Sequence, residues 1–144
     1  MSDTPTTGQF LLHSVELVEC VFKKHEVSGD LVAVSAESLP VNTVEITTSY
    51  KHEGPYLWVF VTAKVNTKHQ GRELLKAEVT MKGLFEQKGE TQLNVDTFAQ
   101  VNGPAILFPF IREQLASLTM KANIPPILLA PINFVKRAGE APVQ

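Results

Sequence analysis

Four segments of this chain alternate between apolar and other side chains with a period of two, and this pattern constrains the fold most strongly. They are residues 10–23, 41–50, 56–65 and 73–85. Successive side chains of an extended strand point to opposite faces, so a period of two predicts β-strands and argues against helices. Turn-forming residues such as Gly54-Pro55 lie between the segments. Short links of this kind predict a four-stranded antiparallel meander.

Two of these strands are apolar on both faces. For the first strand, this pattern predicts a bulge that swaps its faces. The third has one aliphatic face, while Tyr56, Trp58 and Phe60 form an aromatic face opposite. One helix covers only one face of a sheet, so the aromatic face needs another cover. Three explanations stay open, in order of preference: an oligomer interface, a loop of this chain that folds back, and a groove for apolar segments of another chain.

A helix with an apolar stripe is predicted over residues 104–122, after a weak short helix within residues 91–101. Pro109 lacks an amide donor and predicts a kink or a restart. Phe108 and Phe110 widen the stripe beyond what one sheet face requires. The stripe repeats at intervals of three and four residues, which is the spacing of one helix face, and it consists of Leu107, Ile111, Leu115 and Leu118.

The segment 124–131 is apolar, carries no charge and contains three prolines. Proline lacks a backbone donor and fixes φ, so a regular helix or a central strand is excluded and a loop is predicted. Water drives residues such as 127–129 under cover, so this loop is expected to border a surface that something else covers. Asn123 is predicted to end the preceding helix, and Asn133 to cap a short final helix through Arg137.

Length and composition set further bounds. The 144 residues, of which 44 % are hydrophobic and 19 % charged, fit one soluble domain. We expect a disordered tail over residues 1–9, one domain over 10–137 and a flexible tail over 138–144. A net charge of −2 without a long run of one sign predicts no nucleic-acid partner. The chain has one cysteine, Cys20, and its first residues do not resemble a signal peptide, so we predict a cytoplasmic protein. It has no apolar run of roughly 20 residues, which predicts that it does not insert into a membrane.

No common catalytic or metal-ligating pattern is present. Each of the four histidines lacks a second His or Cys at metal-ligand spacing, and they are His13, His25, His52 and His69. The chain also has no glycine-rich phosphate loop and no nucleophile elbow. We therefore predict that it is not an enzyme and has no cofactor, no metal and no catalytic residue.

Two blocks in the last third resemble a known family. GPAILFPFIRE begins at Gly103, and IPPILLAPINF ends at Phe134. In this order and at this distance they are similar to the P-x-I-L-F-P-Y/F-x-R-E helix and the P-x-L-x-L-A-P-V/I-N-F crossover loop of the SecB family of bacterial protein-export chaperones. The resemblance covers residues 10–134 and is specific mainly in the last third. It implies an α+β fold: a four-stranded antiparallel sheet with a long helix packed on one face, a crossover loop and a short C-terminal helix.

The resemblance also implies a function. Family members are ATP-independent holdases that bind unfolded preproteins or other non-native polypeptides in hydrophobic grooves and deliver them to the translocase motor SecA. A chaperone dedicated to one client, such as an antitoxin, is an alternative. The implied client-binding residues are Val44, Ile46, Trp58, Phe60, Ile127, Leu129, Pro131 and Phe134. The implied assembly is a homotetramer, a dimer of dimers, whose helix interface comprises Leu107, Phe108, Phe110, Ile111, Leu115 and Leu118.

The implied SecA contact uses acidic positions on the sheet, which match Glu19 and Glu78 here. Lys23 stands where a second carboxylate is expected, and Lys76 where an apolar neighbour is expected. Because a reversed charge at the rim of an interface lowers association rate and affinity, docking to SecA stays open.

Two alternatives from other classes also stay open. One is a small-molecule-binding α+β domain whose loop caps a cavity, in which Trp58 and Phe60 contact the ligand. The other is a structural oligomer subunit without a client.

Overall fold

The computed structural model describes residues 9–25, 40–89 and 94–140, and its four strands form one antiparallel sheet. All four segments predicted from their alternation are strands, each extended by polar end residues that do not alternate clearly. The strands are β1 (Gln9–Lys24), β2 (Val41–Glu53), β3 (Tyr56–His69) and β4 (Arg72–Lys88).

The order of the strands in the sheet is β1-β4-β3-β2. Strands β2, β3 and β4 form the predicted meander, with tight reversals at Gly54 and at Gln70-Gly71, where φ is positive. Strand β1 pairs with β4 instead of β2, so the meander prediction was wrong for β1. The connection from Lys24 to Val41 is far longer than a hairpin turn, and a long connection does not force neighbouring strands in sequence to pair.

The two faces of the sheet differ in composition. We call the side that packs under the helix the helix face, and the other side the open face. The predicted aliphatic face of β3 lies on the helix face. The buried helix-face residues of β3 and β4 are Leu57, Val59, Val61, Ala63, Val65, Leu75, Ala77, Val79, Met81 and Phe85. Trp58 and Phe60 lie half-buried on the open face.

The predicted bulge in β1 is present twice. The register against β4 shifts between Leu12 and Ser14 and again between Leu17 and Glu19. Residues opposite each other on paired strands share a face. Leu17 pairs with Met81 and therefore lies on the helix face, whereas Glu19 pairs with Thr80 and lies on the open face.

One continuous helical segment covers the helix face. It starts with the short helix α1 (Val95–Thr97), passes through a π-helical turn (Phe98–Asn102) and continues as α2 (Gly103–Lys121). The weak helix and the strong helix predicted separately are thus joined. The side chain of Asn94 caps the start, since its Oδ1 accepts a hydrogen bond of 2.7 Å from the N–H of Asp96.

Helix α2 runs through Pro109 without the predicted restart. Proline removes one amide donor from the helix, and its ring here lies on the exposed side. Burial of Leu107 and Ile111 on the opposite side, each 0 % exposed, holds the helix on both sides of this missing bond.

Most of the helix residues predicted to meet sister subunits are core residues of this chain, which corrects that assignment. Leu107, Phe108, Ile111 and Leu115 are buried against the sheet and the loop. Of the remaining two, Phe110 is 44 % exposed, and Leu118 packs partly against the core. For the four buried residues the prediction was wrong, because helical periodicity identifies a buried face but not what covers it. For Phe110 and Leu118 it stays a prediction.

Helix α2 ends as predicted. Asn123 adopts a positive φ of 59°, and the N–H of Ile124 donates to the carbonyl of Thr119 at 3.2 Å, which are features of a left-handed helix end. Residues 124–133, which we call the apolar loop, lead to α3 (Phe134–Glu140). The predicted cap of α3 is confirmed, because the N–H of Lys136 donates to Oδ1 of Asn133 at 3.0 Å.

The two predicted tails lie mostly outside the described residues. Residues 1–8 and 141–144 are among those not described. Gln9, assigned to the first tail, belongs to β1, and α3 extends to Glu140. Within the described ranges, no helix combines the length and apolar character needed to span a bilayer.

Replacing Leu107 with Ala tests the packing of α2 on the sheet. Leu107 is fully buried, so we expect the variant to lose about 2–5 kcal/mol of unfolding free energy. The neighbouring Ile106 is 37 % exposed, and Ile106→Ala is the matched control with an expected loss below about 1 kcal/mol. Urea unfolding followed by circular dichroism measures both. Equal losses for the two variants would contradict this orientation of the helix.

Candidate functional site

A groove of about 760 Å³ lies between β2, the apolar loop and α3. We call it the loop groove. Strand β2 contributes Val44 and Ile46 from its helix face, and α2 contributes Phe108. The residues that line it are Asn42, Val44, Ile46, Phe108, residues 126–133, Lys136 and Arg137.

A smaller cavity of about 290 Å³, which we call the end pocket, continues from the loop groove. The two share Asn42, Pro126 and Ile127 in their walls. The end pocket is mostly apolar and lies where β1 ends and the apolar loop begins. Its other lining residues are Lys24, His25, Pro40, Thr67, Leu74, Leu75, Ile124 and Pro125.

The apolar loop follows a pattern of alternate burial. Ile127 and Leu129 point into the core, whereas Leu128 between them is 70 % exposed. The predicted loop is therefore partly covered by its own chain, and it also leaves apolar surface free along the groove. Phe134, at the start of α3, packs edge-on against Phe108 with ring centroids 5.8 Å apart, and this contact supports the groove from below.

A buried threonine attaches the apolar loop to α2. The hydroxyl of Thr119 accepts a hydrogen bond of 3.1 Å from the N–H of Ile127. The same hydroxyl lies 3.0 Å from the carbonyl of Leu115, to which it donates within the helix. Thr119 is 0 % exposed. A proline-rich loop has few donors of its own, so this bond fixes where the loop leaves the helix.

At the α3 end of the loop groove lies Arg137. Its guanidinium donates to the backbone carbonyl of Ile46, which ties α3 to β2. Its acceptor is a neutral carbonyl, so the contact leaves the positive charge of Arg137 at the groove wall.

The structure brings together some of the predicted client-binding residues and separates others. Five of the eight line the loop groove, namely Val44, Ile46, Ile127, Leu129 and Pro131. Phe134 lies beneath it, 4 % exposed. Trp58 and Phe60 lie on the open face, across the sheet from the groove. Strand parity explains the split, since Val44 pairs with Val65 on the helix face, whereas Phe60 pairs with Ser49 on the open face.

The position of the apolar loop decides two of the open alternatives. The loop packs on the helix-face side, so it does not fold back over Trp58 and Phe60. The explanation by loop cover was therefore wrong. The small-molecule alternative depended on a cavity around these two aromatic residues that this loop caps, and the described residues 124–133 form no such cap.

Nine groove residues were not among the predicted client-binding residues: five belong to the apolar loop, and four lie outside it. Asn42, Lys136 and Arg137 line the loop groove, and so does Phe108, which had been assigned to a subunit interface. For Lys136 and Arg137, the sequence showed only that they follow the predicted helix cap Asn133. The tertiary structure was needed to show that α3 packs next to β2, which places this cap and Ile46 in the same groove.

Two glutamates near the ends of β4, Glu73 and Glu86, each lie within hydrogen-bond distance of a histidine of β1 or its end. Nε2 of His25 lies 3.0 Å from Oε2 of Glu73, and the Asn66 side-chain amide donates to Oε1 of Glu73 at 2.7 Å. These two hydrogen bonds, that of His25 first, lower the pKa of Glu73. A similar contact with His13 lowers the pKa of Glu86. Among the described residues no group of three or more His, Cys, Asp or Glu side chains forms a metal site.

The family model for preprotein translocase subunit SecB matches residues 28–137, which is more than half of the chain. This chain belongs to the SecB family. The resemblance recognised in the helix and loop blocks is thereby confirmed.

Curated relatives carry the name protein-export protein SecB. The protein from Methylobacillus flagellatus is 36 % identical over 87 residues, which cover 60 % of this chain and 55 % of the relative. The protein from Neisseria meningitidis serogroup A is 39 % identical over 89 residues, which cover 61 % of this chain and 60 % of the relative. The matched part thus spans less than two thirds of the length of these SecB proteins.

A solved structure also resembles this chain. It is a SecB-like chaperone of Mycobacterium tuberculosis in complex with a ChAD peptide from the HigA1 antitoxin. The TM-score is 0.67 at 17 % identity, and the match covers 85 % of this chain and 90 % of the other. This likeness confirms the predicted α+β fold of the SecB family, with its four-stranded antiparallel sheet, long helix and short C-terminal helix.

The open face carries the two acidic positions that matched the SecB pattern. Glu78 pairs with Val21 and Glu19 pairs with Thr80, so the two carboxylates lie diagonally across β1 and β4. Lys23 lies directly opposite Lys76 on the same face. The two residues that depart from the SecB pattern are therefore cross-strand neighbours of like charge.

Replacing Thr119 with Val tests its attachment of the apolar loop. Valine has a similar shape but no acceptor, so the buried N–H of Ile127 loses its partner at a cost of about 1–3 kcal/mol. We expect faster hydrogen exchange at the Ile127 amide in Thr119→Val and near-normal exchange in Thr119→Ser, which keeps the oxygen. Mass spectrometry or NMR measures the exchange. Unchanged protection of Ile127 in Thr119→Val would show that the loop is held elsewhere.

Proposed function

We propose that this chain is an ATP-independent holdase that binds unfolded preproteins or other non-native polypeptides in the loop groove. The observation that carries the proposal is an open groove of about 760 Å³, lined by aliphatic side chains of β2 and the apolar loop, in a member of the SecB family. A holdase needs apolar contact without reading a particular sequence. Binding then lowers the free population of the unfolded client by mass action.

The position of the groove supports an extended client. The loop groove borders β2, which is an edge strand of the sheet. An edge strand has outward-facing backbone groups that pair with an added extended segment, and this contact does not depend on side-chain identity. Exposed Leu128 on the other side of the groove provides apolar surface for client side chains.

A chaperone dedicated to one client, such as an antitoxin, is the second candidate. The structural neighbour from Mycobacterium tuberculosis was solved with an antitoxin peptide, and this supports keeping the alternative. The range of clients distinguishes the two candidates. A general holdase binds several unrelated unfolded proteins with similar affinity, whereas a dedicated chaperone binds one partner far more tightly than any other protein.

We further propose delivery of clients to the SecA motor, with Glu19 and Glu78 of the open face as its contacts, and a cytoplasmic location. A homotetramer built as a dimer of dimers is the proposed assembly. Exposed apolar residues on α2, Phe110 and Met120, support association through that helix. Size measurement in solution by light scattering tests the assembly, and a monomer at working concentration would reject it.

Replacing Leu128 with Ser tests client binding in the loop groove. Leu128 is 70 % exposed, so the change removes apolar contact area without opening the core. We expect a several-fold loss of affinity for an unfolded protein, corresponding to about 1–2 kcal/mol. The matched control is Val135→Ser, 67 % exposed on α3 and outside the groove lining.

Suppression of aggregation and comigration with a reduced, unfolded substrate measure that loss. If the wild-type protein neither suppresses aggregation nor comigrates with the substrate, the holdase proposal is rejected. Leu129→Asp is less suitable as a test, because Leu129 is 5 % exposed and packs in the core.

Replacing Lys23 with Glu tests the proposed SecA contact. The change turns the like-charged pair with Lys76 into an opposite pair and places a second carboxylate near Glu19. We expect a several-fold gain in affinity for SecA, which disappears at high salt. Lys136→Glu, on the other side of the sheet, is the control. Equal SecA binding by wild type and Lys23→Glu would remove Lys23 from the contact.

A further inference from the structure

The loop groove and the end pocket form one path along the apolar loop. They share Asn42, Pro126 and Ile127, so an extended segment that fills one reaches the other. One end of the path lies at the end of β1, beside Lys24, and the other lies at α3. We call this path the continuous groove.

Cationic side chains stand at both ends of the continuous groove. Lys24 lines the end pocket, while Lys136 and Arg137 line the loop groove. Among the described residues that line either cavity there is no aspartate and no glutamate. The whole chain carries a net charge of −2, so the positive lining runs against the average charge of the protein.

Among the side chains that the structure describes, those of residues 9–25, 40–89 and 94–137, no carboxylate forms an ion pair with these cations. Nζ of Lys24 donates to the carbonyl of Ala122 at 3.0 Å, and Arg137 donates to the carbonyl of Ile46. A carbonyl satisfies a donor but carries no net charge. Each ion pair between these described side chains involves another cation.

Charge on the open face is arranged differently. Both signs of charge occur there, as in the pairing of Glu16 with Lys82 and of Lys64 with Glu78. A surface of mixed charge favours neither sign of ligand. A groove lined by one sign selects ligands of the opposite sign, because each like charge brought to it is repelled.

We propose that the continuous groove selects extended apolar polypeptide segments that carry acidic side chains next to their apolar residues, and that it rejects segments with basic flanks. This inference rests on the proposed holdase function and defines its client class. Apolar residues of the client fill the groove, while its carboxylates meet Lys136 and Arg137 at one end and Lys24 at the other. Specificity arises because the cations of the groove attract acidic flanks of a client and repel basic ones.

Three synthetic peptides test the charge preference. They share one apolar core and differ only in flanks of Glu, Gln or Lys. Fluorescence anisotropy measures their binding to the full chain at low and at physiological salt. Partly exposed ion pairs contribute modestly, so we expect the Glu-flanked peptide to bind roughly 5- to 20-fold more tightly than the Lys-flanked one at low salt. At physiological salt, we expect a smaller difference in affinity between the Glu-flanked and the Lys-flanked peptide, because salt screens the charges.

Two matched variants locate the preference. Lys136→Glu reverses a charge in the groove, whereas Lys51→Glu reverses an exposed charge on the open face, beside Trp58. We expect the preference for Glu flanks to shrink or reverse in Lys136→Glu and to persist in Lys51→Glu. Lys136 is exposed, and circular dichroism of both variants shows whether the fold is kept.

The outcomes separate this inference from the proposed function. Equal binding of all three peptides, or tighter binding of the Lys-flanked one, would overturn the charge preference and leave the holdase proposal intact. An equal effect of the two variants would also overturn it. Absence of binding by every peptide would reject both the preference and binding in the groove.

Discussion

Burial of the aliphatic face of β3 and β4 under α2 is the contact on which the rest of this structure depends. Leu107, Ile111 and Leu115 are fully buried against that face. Two glycines allow the close approach: a Cβ at Gly83 would lie 2.9 Å from Leu107 Cδ2, and one at Gly103 would lie 2.9 Å from Val59 Cγ2. The packing fixes the position of the C-terminal end of α2 on the sheet, and hence the point over the sheet from which the apolar loop starts.

The groove follows from that placement. Thr119 in the last turn of α2 holds Ile127, and Arg137 in α3 binds β2 at Ile46. Between these two attachments the loop buries Ile127 and Leu129 and leaves Leu128 at the surface. The loop is therefore stable enough to form a wall while still presenting apolar area, which is the combination that binding of non-native chains requires.

The sheet separates two surfaces with different chemistry. The helix-face side holds the groove with its cationic ends, and the open face holds Trp58, Phe60 and the acidic positions Glu19 and Glu78. A partner on the open face does not occlude the groove, because the full thickness of the sheet lies between them. The proposed client groove and the proposed SecA contact thus lie on separate surfaces of this chain.

Local features of the sequence determined the strands, the end of α2 at Asn123, the cap at Asn133 and the loop character of the proline-rich segment. Each depends on side chains a few residues apart, through alternation, capping bonds and missing amide donors. The helix and loop blocks also identified the family. Only the tertiary structure decided that β1 pairs with β4, that the helix stripe meets its own sheet, and that the loop returns beside Val44 and away from Trp58. Periodicity shows that a face is apolar, but what covers that face is settled by contacts between residues far apart in the chain.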